Sequence, residues 1–241
     1  MVRRASQVFK NSSIATKRGN EMKILVFLSL GIFSLVFGLN HFRSGSDFAP
    51  AATSKAANAP VSYRLNASRS KFMVFANRTG LAYFKGKSHQ IAVRDFEGEA
   101  SLDPTALNPA SLQMTIKSAS LEETRDVYTA KEKEIINKEL NEIVLETSKY
   151  PEITFKSTEV KGTLKNGVFD LKIGGDITLH GVTKHIVIPA TVAIEGDALH
   201  AKGEFKLNRK EFHVNATEAF HGFVKVKHVL RFSFDIIAER A

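Results

Sequence analysis

The 241-residue chain has no cysteine. Disulfides, thiolate metal sites and cysteine nucleophiles are therefore excluded together, as is the acylated cysteine of a lipoprotein signal. Export stays compatible with that absence, because a domain of this size can stand on a hydrophobic core alone. Nor is there a G-x-S-x-G elbow, which removes the hydrolase reading. Gly86-Lys87-Ser88 ends like a phosphate loop, but the earlier glycine such a loop needs falls on Leu81. Eight histidines are present, yet none are spaced H-x-x-x-H. The sequence accordingly offers no metal site, and His228 reads as a neutral core histidine sharing a row with Phe232 and Phe234. No nucleophile–base constellation emerges, and the chain reads as a non-enzyme.

A basic stripe on the folded domain is missing too. The net charge of +9 is concentrated at the N-terminus. Residues 1–60 hold 8 Lys/Arg against 2 Asp/Glu, whereas residues 61–241 hold 26 against 23. Nucleic-acid binding would need the excess on the globular part.

Residues 1–23 form a basic arm containing Arg3, Arg4, Lys10, Lys17, Arg18 and Lys23. An uncharged apolar run follows, Ile24 to Leu39, within a segment placed at 24–40. A basic flank before such a run keeps the N-terminus cytoplasmic and sends the rest across a membrane. Its 16 residues lie between a signal h-region and a transmembrane span. Read from Met22 it resembles a cleaved signal peptide, with Ala49-Pro50-Ala51 as a small-x-small site; read from Met1 it resembles an inner-membrane anchor. Both readings export the domain. Residues 41–60, rich in Ala, Ser and Pro, form a flexible linker.

From residue 61 to 241 the pattern has period two. Phe96, Gly98, Ala100 and Leu102 alternate with Glu97, Glu99 and Ser101. Leu112, Met114 and Ile116 repeat the pattern, and a last row runs Val226, His228, Leu230, Phe232, Phe234, Ile236. Such strands have one dry and one wet face. Asn166-Gly167 marks a hairpin, and Glu195-Gly196-Asp197 marks another turn. Between Asp126 and Glu146 the apolar positions Ile135, Ile136, Leu140, Ile143 and Val144 take helical spacing, with Asp126 placed to suit the helix dipole. The expected fold is all-β, a long antiparallel meander with one amphipathic helix. A sandwich and a closed barrel both fit it, and closure is favoured because it removes edge strands.

Inward rows supply large apolar groups. Phe72 and Val74 form one, Ile177 and Leu179 a second, Ile186 and Ile188 a third. Phe205 and Leu207, then Phe232 and Phe234, complete the set, with Phe155 on a further strand.

Two stretches carry a specific likeness. Tyr150-Pro151-Glu152-Ile153-Thr154-Phe155-Lys156-Ser157-Thr158 is followed by Gly175-Asp176-Ile177-Thr178-Leu179-His180-Gly181-Val182-Thr183-Lys184. Arg125-Asp126 and Arg209-Lys210-Glu211-Phe212, the latter read as a late strand, support it. The domain resembles the YceI-like, polyisoprenoid-binding family. That resemblance implies an eight-stranded lipocalin-like barrel in the periplasm, holding an isoprenoid quinone, polyprenol or fatty amphiphile against the inward rows just named. It implies no catalytic residue and no other cofactor. A homodimer is a further partner reading, and a filled core serving as an envelope interaction domain is the alternative function. Tyr63, Arg78 and His213 stand where the family usually has Trp, His and Gly, and Ile135-Ile136-Asn137 where it has two Phe and Asp. His180-Gly181 reads as a tight turn, with Thr183 bonding locally.

Overall fold

The computed structural model describes residues 59–217 and 224–241. The basic arm, the apolar segment 24–40 and all but the last two residues of the linker lie outside the described residues. No helix among the described residues is long and apolar enough to cross a membrane.

The period-two rows become strands. β1 (Val61–Ala76), β2 (Arg78–Thr79), β3 (His89–Val93), β4 (Phe96–Asp103), β5 (Ala106–Lys117) and β6 (Leu121–Glu123) precede the helix α1 (Ala130–Glu139). After it come β7 (Glu152–Lys165), β8 (Val168–Leu179), β9 (Val182–Glu195), β10 (Ala198–Asn208), β11 (Lys225–Val226) and β12 (Val229–Arg240). Eight of them pair antiparallel in the order β1-β4-β5-β7-β8-β9-β10-β12, and β12 returns to β1. The result is a closed barrel, as expected. β3 and β6 extend the sheet from the second half of β1, and β2 pairs with β11 in a small separate ribbon.

β1 serves two neighbours because it bends. Its first residues pair with β4 and its last with β3. Between Asn66 and Lys71 its register with β12 shifts. Asn66 Oδ1 accepts from the Ser68 hydroxyl and the Arg69 N–H, while Ser70 Oγ accepts from Ile237 N at 2.9 Å. The side chains thus replace ladder bonds that the bulge interrupts.

Both predicted turns form. Asn166 and Gly167 take φ of 52° and 78°, the left-handed pair of a tight hairpin, and Gly196 takes 62°. The end of the barrel carrying these turns is packed solid. Tyr63, Phe169, Leu199 and Ala238 are all buried there, Phe169 with 1% of its surface exposed.

The opposite end carries the helix. α1 is shorter than the pattern suggested, beginning at Ala130 and passing into a wider π turn, Leu140–Val144. Asp126 does not start it; its side chain is fully exposed. Thr129 is the N-cap: its hydroxyl accepts from Glu132 N at 3.3 Å, and the Glu132 carboxylate accepts from Thr129 N at 2.7 Å. This reciprocal box, with the Lys87 ammonium, holds the Glu132 carboxyl down to about 2. Thr129→Ala is expected to cost about 1 kcal/mol, lowering the melting temperature by about 2–4 °C in a thermal denaturation scan.

Two strand expectations are corrected. Arg209–Phe212 is a single 3-10 turn, ended by His213 in the left-handed region (φ 56°), because Asn208 caps Lys210 N and turns the chain out of β10. The row assigned to Val226–Ile236 is broken at Lys227 and His228, since Val226 pairs with β2 and only Val229 onward joins the barrel. His228 is therefore exposed, not a core histidine.

Candidate binding cavity

Closing eight strands leaves an interior just wide enough for side chains or one ligand. Here two apolar compartments occupy it in line. The inner one, nearer the packed end, has a volume of about 130 Å³; the outer one, under the helix, has about 180 Å³. Phe72, Ile116, Ile153, Ile177 and Phe205 border both and form the divide. Among the described residues no charged side chain borders the inner compartment, whose only polar neighbours are Ser101, Ser111 and Thr154. The outer one is also bordered by His89, Glu139, Arg209 and Thr217. Polarity therefore rises toward the helix end.

The wall follows from register. Phe155 on β7 sits opposite Ile177 on β8, so the two family-like stretches form adjacent staves. Gly175 makes that packing possible: a Cβ there would come within 2.6 Å of the Phe155 ring and 2.5 Å of the Lys156 carbonyl. Across the seam, Phe72 pairs with Phe234 and Val74 with Phe232, while Phe205 stacks on Phe232 at 4.8 Å between centroids.

Of the inward residues expected from sequence, Phe72, Ile177 and Phe205 border both compartments. Phe155, Ile188 and Phe234 border the inner one; Val74, Leu179, Leu207 and Phe232 border the outer. Ile186 borders neither: it lies opposite Gly175 and is half-buried against the core. Sequence reasoning missed the helix's contribution. Ile136, Leu140 and Val144 roof the outer compartment, whereas Ile135 and Ile143 face solvent with more than half their surface exposed. Ile136, Leu140 and Val144 keep the i, i+4, i+8 spacing of one helical face, and the segment Leu140–Val144 forms the π turn.

A polar cluster on the wall of the outer compartment was also missed. The Glu123 side chain is completely buried. Its carboxylate accepts from His89 Nδ1 at 2.8 Å, from Gln90 N at 3.2 Å and from Arg125 N at 2.8 Å. Burial pushes the Glu123 carboxyl up, but the His89 bond and the two main-chain N–H groups outweigh it, and the group lies below its ordinary value. Asn137 on α1 accepts from Glu123 N at 2.7 Å and ties helix to strand. The His89 ring stacks on Tyr128 at 5.4 Å, with planes 7° apart. Burial and then the Glu123 charge push the Tyr128 phenol up to about 12. Arg125 spends Nη1 on the Ser88 carbonyl, which gives Arg125 a role at this cluster and Asp126 none. One signal was present: Glu123 shares the dry row of Leu121, two residues earlier.

His180 and Gly181 make the expected turn, with φ of 52° and 74° and a Thr178–Thr183 hydroxyl contact of 2.8 Å. His180 is buried and packs on Tyr150, ring centroids 4.2 Å apart. Its Nε2 lies 2.8 Å from Glu146 Oε2, a close electrostatic approach outside hydrogen-bond geometry. It borders neither compartment. Among the described residues no group of three potential metal ligands converges.

A closed eight-stranded barrel around an apolar cavity defines a lipocalin-like class of protein. Residues 63–238 match the YceI-like domain model, and the chain belongs to that family. A UPF0312 protein of Vibrio cholerae is 35% identical over 114 residues, 47% of this chain and 52% of that protein. The chain thus spans about half the length of that curated relative. Among solved structures, Burkholderia cenocepacia BcnA aligns with a TM-score of 0.57 at 20% identity, over 72% of this chain and 98% of that one. A polyisoprenoid-binding domain from Saccharophagus degradans aligns with a TM-score of 0.55 at 14% identity, over 75% and 99%. At such identities the likeness shows the shared fold.

Proposed function

We propose that this protein binds one long-chain amphiphile, of the isoprenoid class, inside the barrel and does so outside the cytoplasm. The observation carrying this reading is the in-line pair of apolar compartments, one free of charged neighbours and one with polar groups at its helix end. Each is close to the ~150 Å³ at which an apolar cavity stays dry and accepts a small hydrocarbon guest. Ten buried methylenes would contribute about 8 kcal/mol before the cost of immobilising the chain. The polyisoprenoid-binding neighbour points the same way. The basic arm ahead of the apolar run 24–40 supports export, with a periplasmic or envelope location. Binding is favoured over catalysis because, among the described residues, no nucleophile–base pair borders either compartment.

Native and denaturing mass spectrometry of the full chain, purified without added lipid, tests this. A defined mass lost on denaturation and identified as an isoprenoid or fatty amphiphile is expected. A clean apo mass that takes up neither quinone nor polyprenol would replace the reading with a filled-core interaction domain.

A further inference from the structure

Resting on the cavity reading, we propose that His89 is the receptor for the guest's head and that the head is an uncharged hydroxyl. The argument starts from Glu123. Its buried carboxylate can only accept, so the proton on His89 sits at Nδ1, the atom 2.8 Å from Oε2. In the neutral imidazole that leaves Nε2 as an acceptor. Nε2 is on the far side of the ring from Glu123, no protein group bonds to it among the described residues, and the ring borders the outer compartment. Tyr128 stacked on one face and Asn137 clamping Glu123 from the helix hold this tautomer in place. A guest whose chain fills the apolar compartments presents its head at this end, where a hydroxyl can donate to Nε2.

Charge selects against the obvious alternative. A phosphate or carboxylate head would face Glu139 on the same lining and Glu123 directly behind the imidazole. Arg209 on the same lining keeps its charge, but Nε, Nη1 and Nη2 each donate to a main-chain carbonyl, of Lys227, Val214 and Val226, which fixes the guanidinium in the wall, and it is one cation against two carboxylates. At the neutral ring an acceptor-only head such as an ether or ester finds no donor.

The test uses dodecanol, dodecyl methyl ether, dodecanoate and dodecane in displacement of an anilinonaphthalene sulfonate probe from the delipidated full chain. Wild type should bind the alcohol about three- to tenfold more tightly than the ether, the span of one buried hydrogen bond, and more tightly than the acid. His89→Phe should bring the alcohol-to-ether ratio to about one. Glu123→Gln should do the same by another route: its amide nitrogen donates to Nδ1, moves the ring proton to Nε2, and turns the receptor into a donor that both heads satisfy. That second variant carries the test if His89→Phe does not fold. Equal binding of alcohol and ether by wild type, a ratio unchanged in both variants, or a preference for dodecanoate would overturn the head assignment while leaving the cavity reading standing. Failure of wild type to take up any of the four, dodecane included, removes the cavity reading and the head site with it.

Discussion

Ile177→Phe is expected to lower affinity for a twelve-carbon guest by more than about tenfold while changing affinity for a short one far less. Ile177 borders both compartments, has 8% of its surface exposed, and stands opposite Phe155 at the divide. A ring placed there closes the passage between them. A chain confined to one compartment loses the burial of its remainder, and four methylenes left in water cost about 3 kcal/mol, more than a hundredfold. The tenfold floor allows for partial repacking. Overpacking also costs the fold about 1–3 kcal/mol, so the melting temperature must be recorded beside the binding constants. The readout is the dependence of affinity on chain length in an alcohol series. Wild type should gain with each carbon until both compartments are full, and the variant should stop gaining early. An unchanged chain-length dependence would mean that the guest never crosses Ile177, and the two compartments would then be separate packing defects.

How much of this was legible beforehand divides by physical cause. Alternation is a local signal, and it placed Phe72, Val74, Phe155, Phe205 and Phe232 on the inner face because each stands in a stretch of strand clear of the bulges in β1 and β7. Asn166-Gly167 was readable for the same reason, since its backbone angles are a property of the two residues. His228 was misplaced because alternation says nothing about which partner a strand takes: the row looks continuous from Val226 to Ile236, yet its first part pairs with β2 and the rest with β1 and β10. Helical periodicity did not separate Ile135 from Ile136 or Ile143 from Val144: each pair is adjacent in sequence, and which member faces the barrel depends on how the helix docks, with the π turn altering the residue count only from Leu140 on. The cluster around Glu123 lay beyond reach for a different reason. Its donors come from β3 and from the Arg125 N–H just after β6, and the helix joins through Asn137, which accepts from Glu123 N; only closure of the tertiary structure brings them together. Read alone, Leu121-Glu122-Glu123-Thr124-Arg125-Asp126 looks like a solvated charged loop.

Glu123→Ala is expected to cost about 2–4 kcal/mol, because it removes a buried carboxylate that accepts from three half-buried donors. Gln90 N, Arg125 N and His89 Nδ1 would each lose this acceptor, at about 1 kcal/mol or somewhat more apiece because all three groups are only half-buried and water can reach them. Asp95→Ala provides the contrast. The Lys117–Asp95 pair is as short, 2.8 Å, but its side chains are 66% and 50% exposed, and losing such a pair costs about 0–1 kcal/mol. Urea denaturation of the two variants should therefore differ severalfold in effect. The pH dependence gives a second handle. The folded Glu123 carboxyl lies below its ordinary value, so its contribution is fully present above the unfolded pKa of about 4.3 and is lost as pH falls through the folded one. The stability gap between wild type and Glu123→Ala should accordingly hold at neutral pH and narrow in acid, where protonation removes from wild type what the substitution removes from the variant. Other depressed carboxyls, Glu132 among them, titrate in both proteins and cancel in the difference. A gap that stays constant down to acid unfolding would mean that the carboxylate charge does not hold this wall together, and that Glu123 acts there by shape alone.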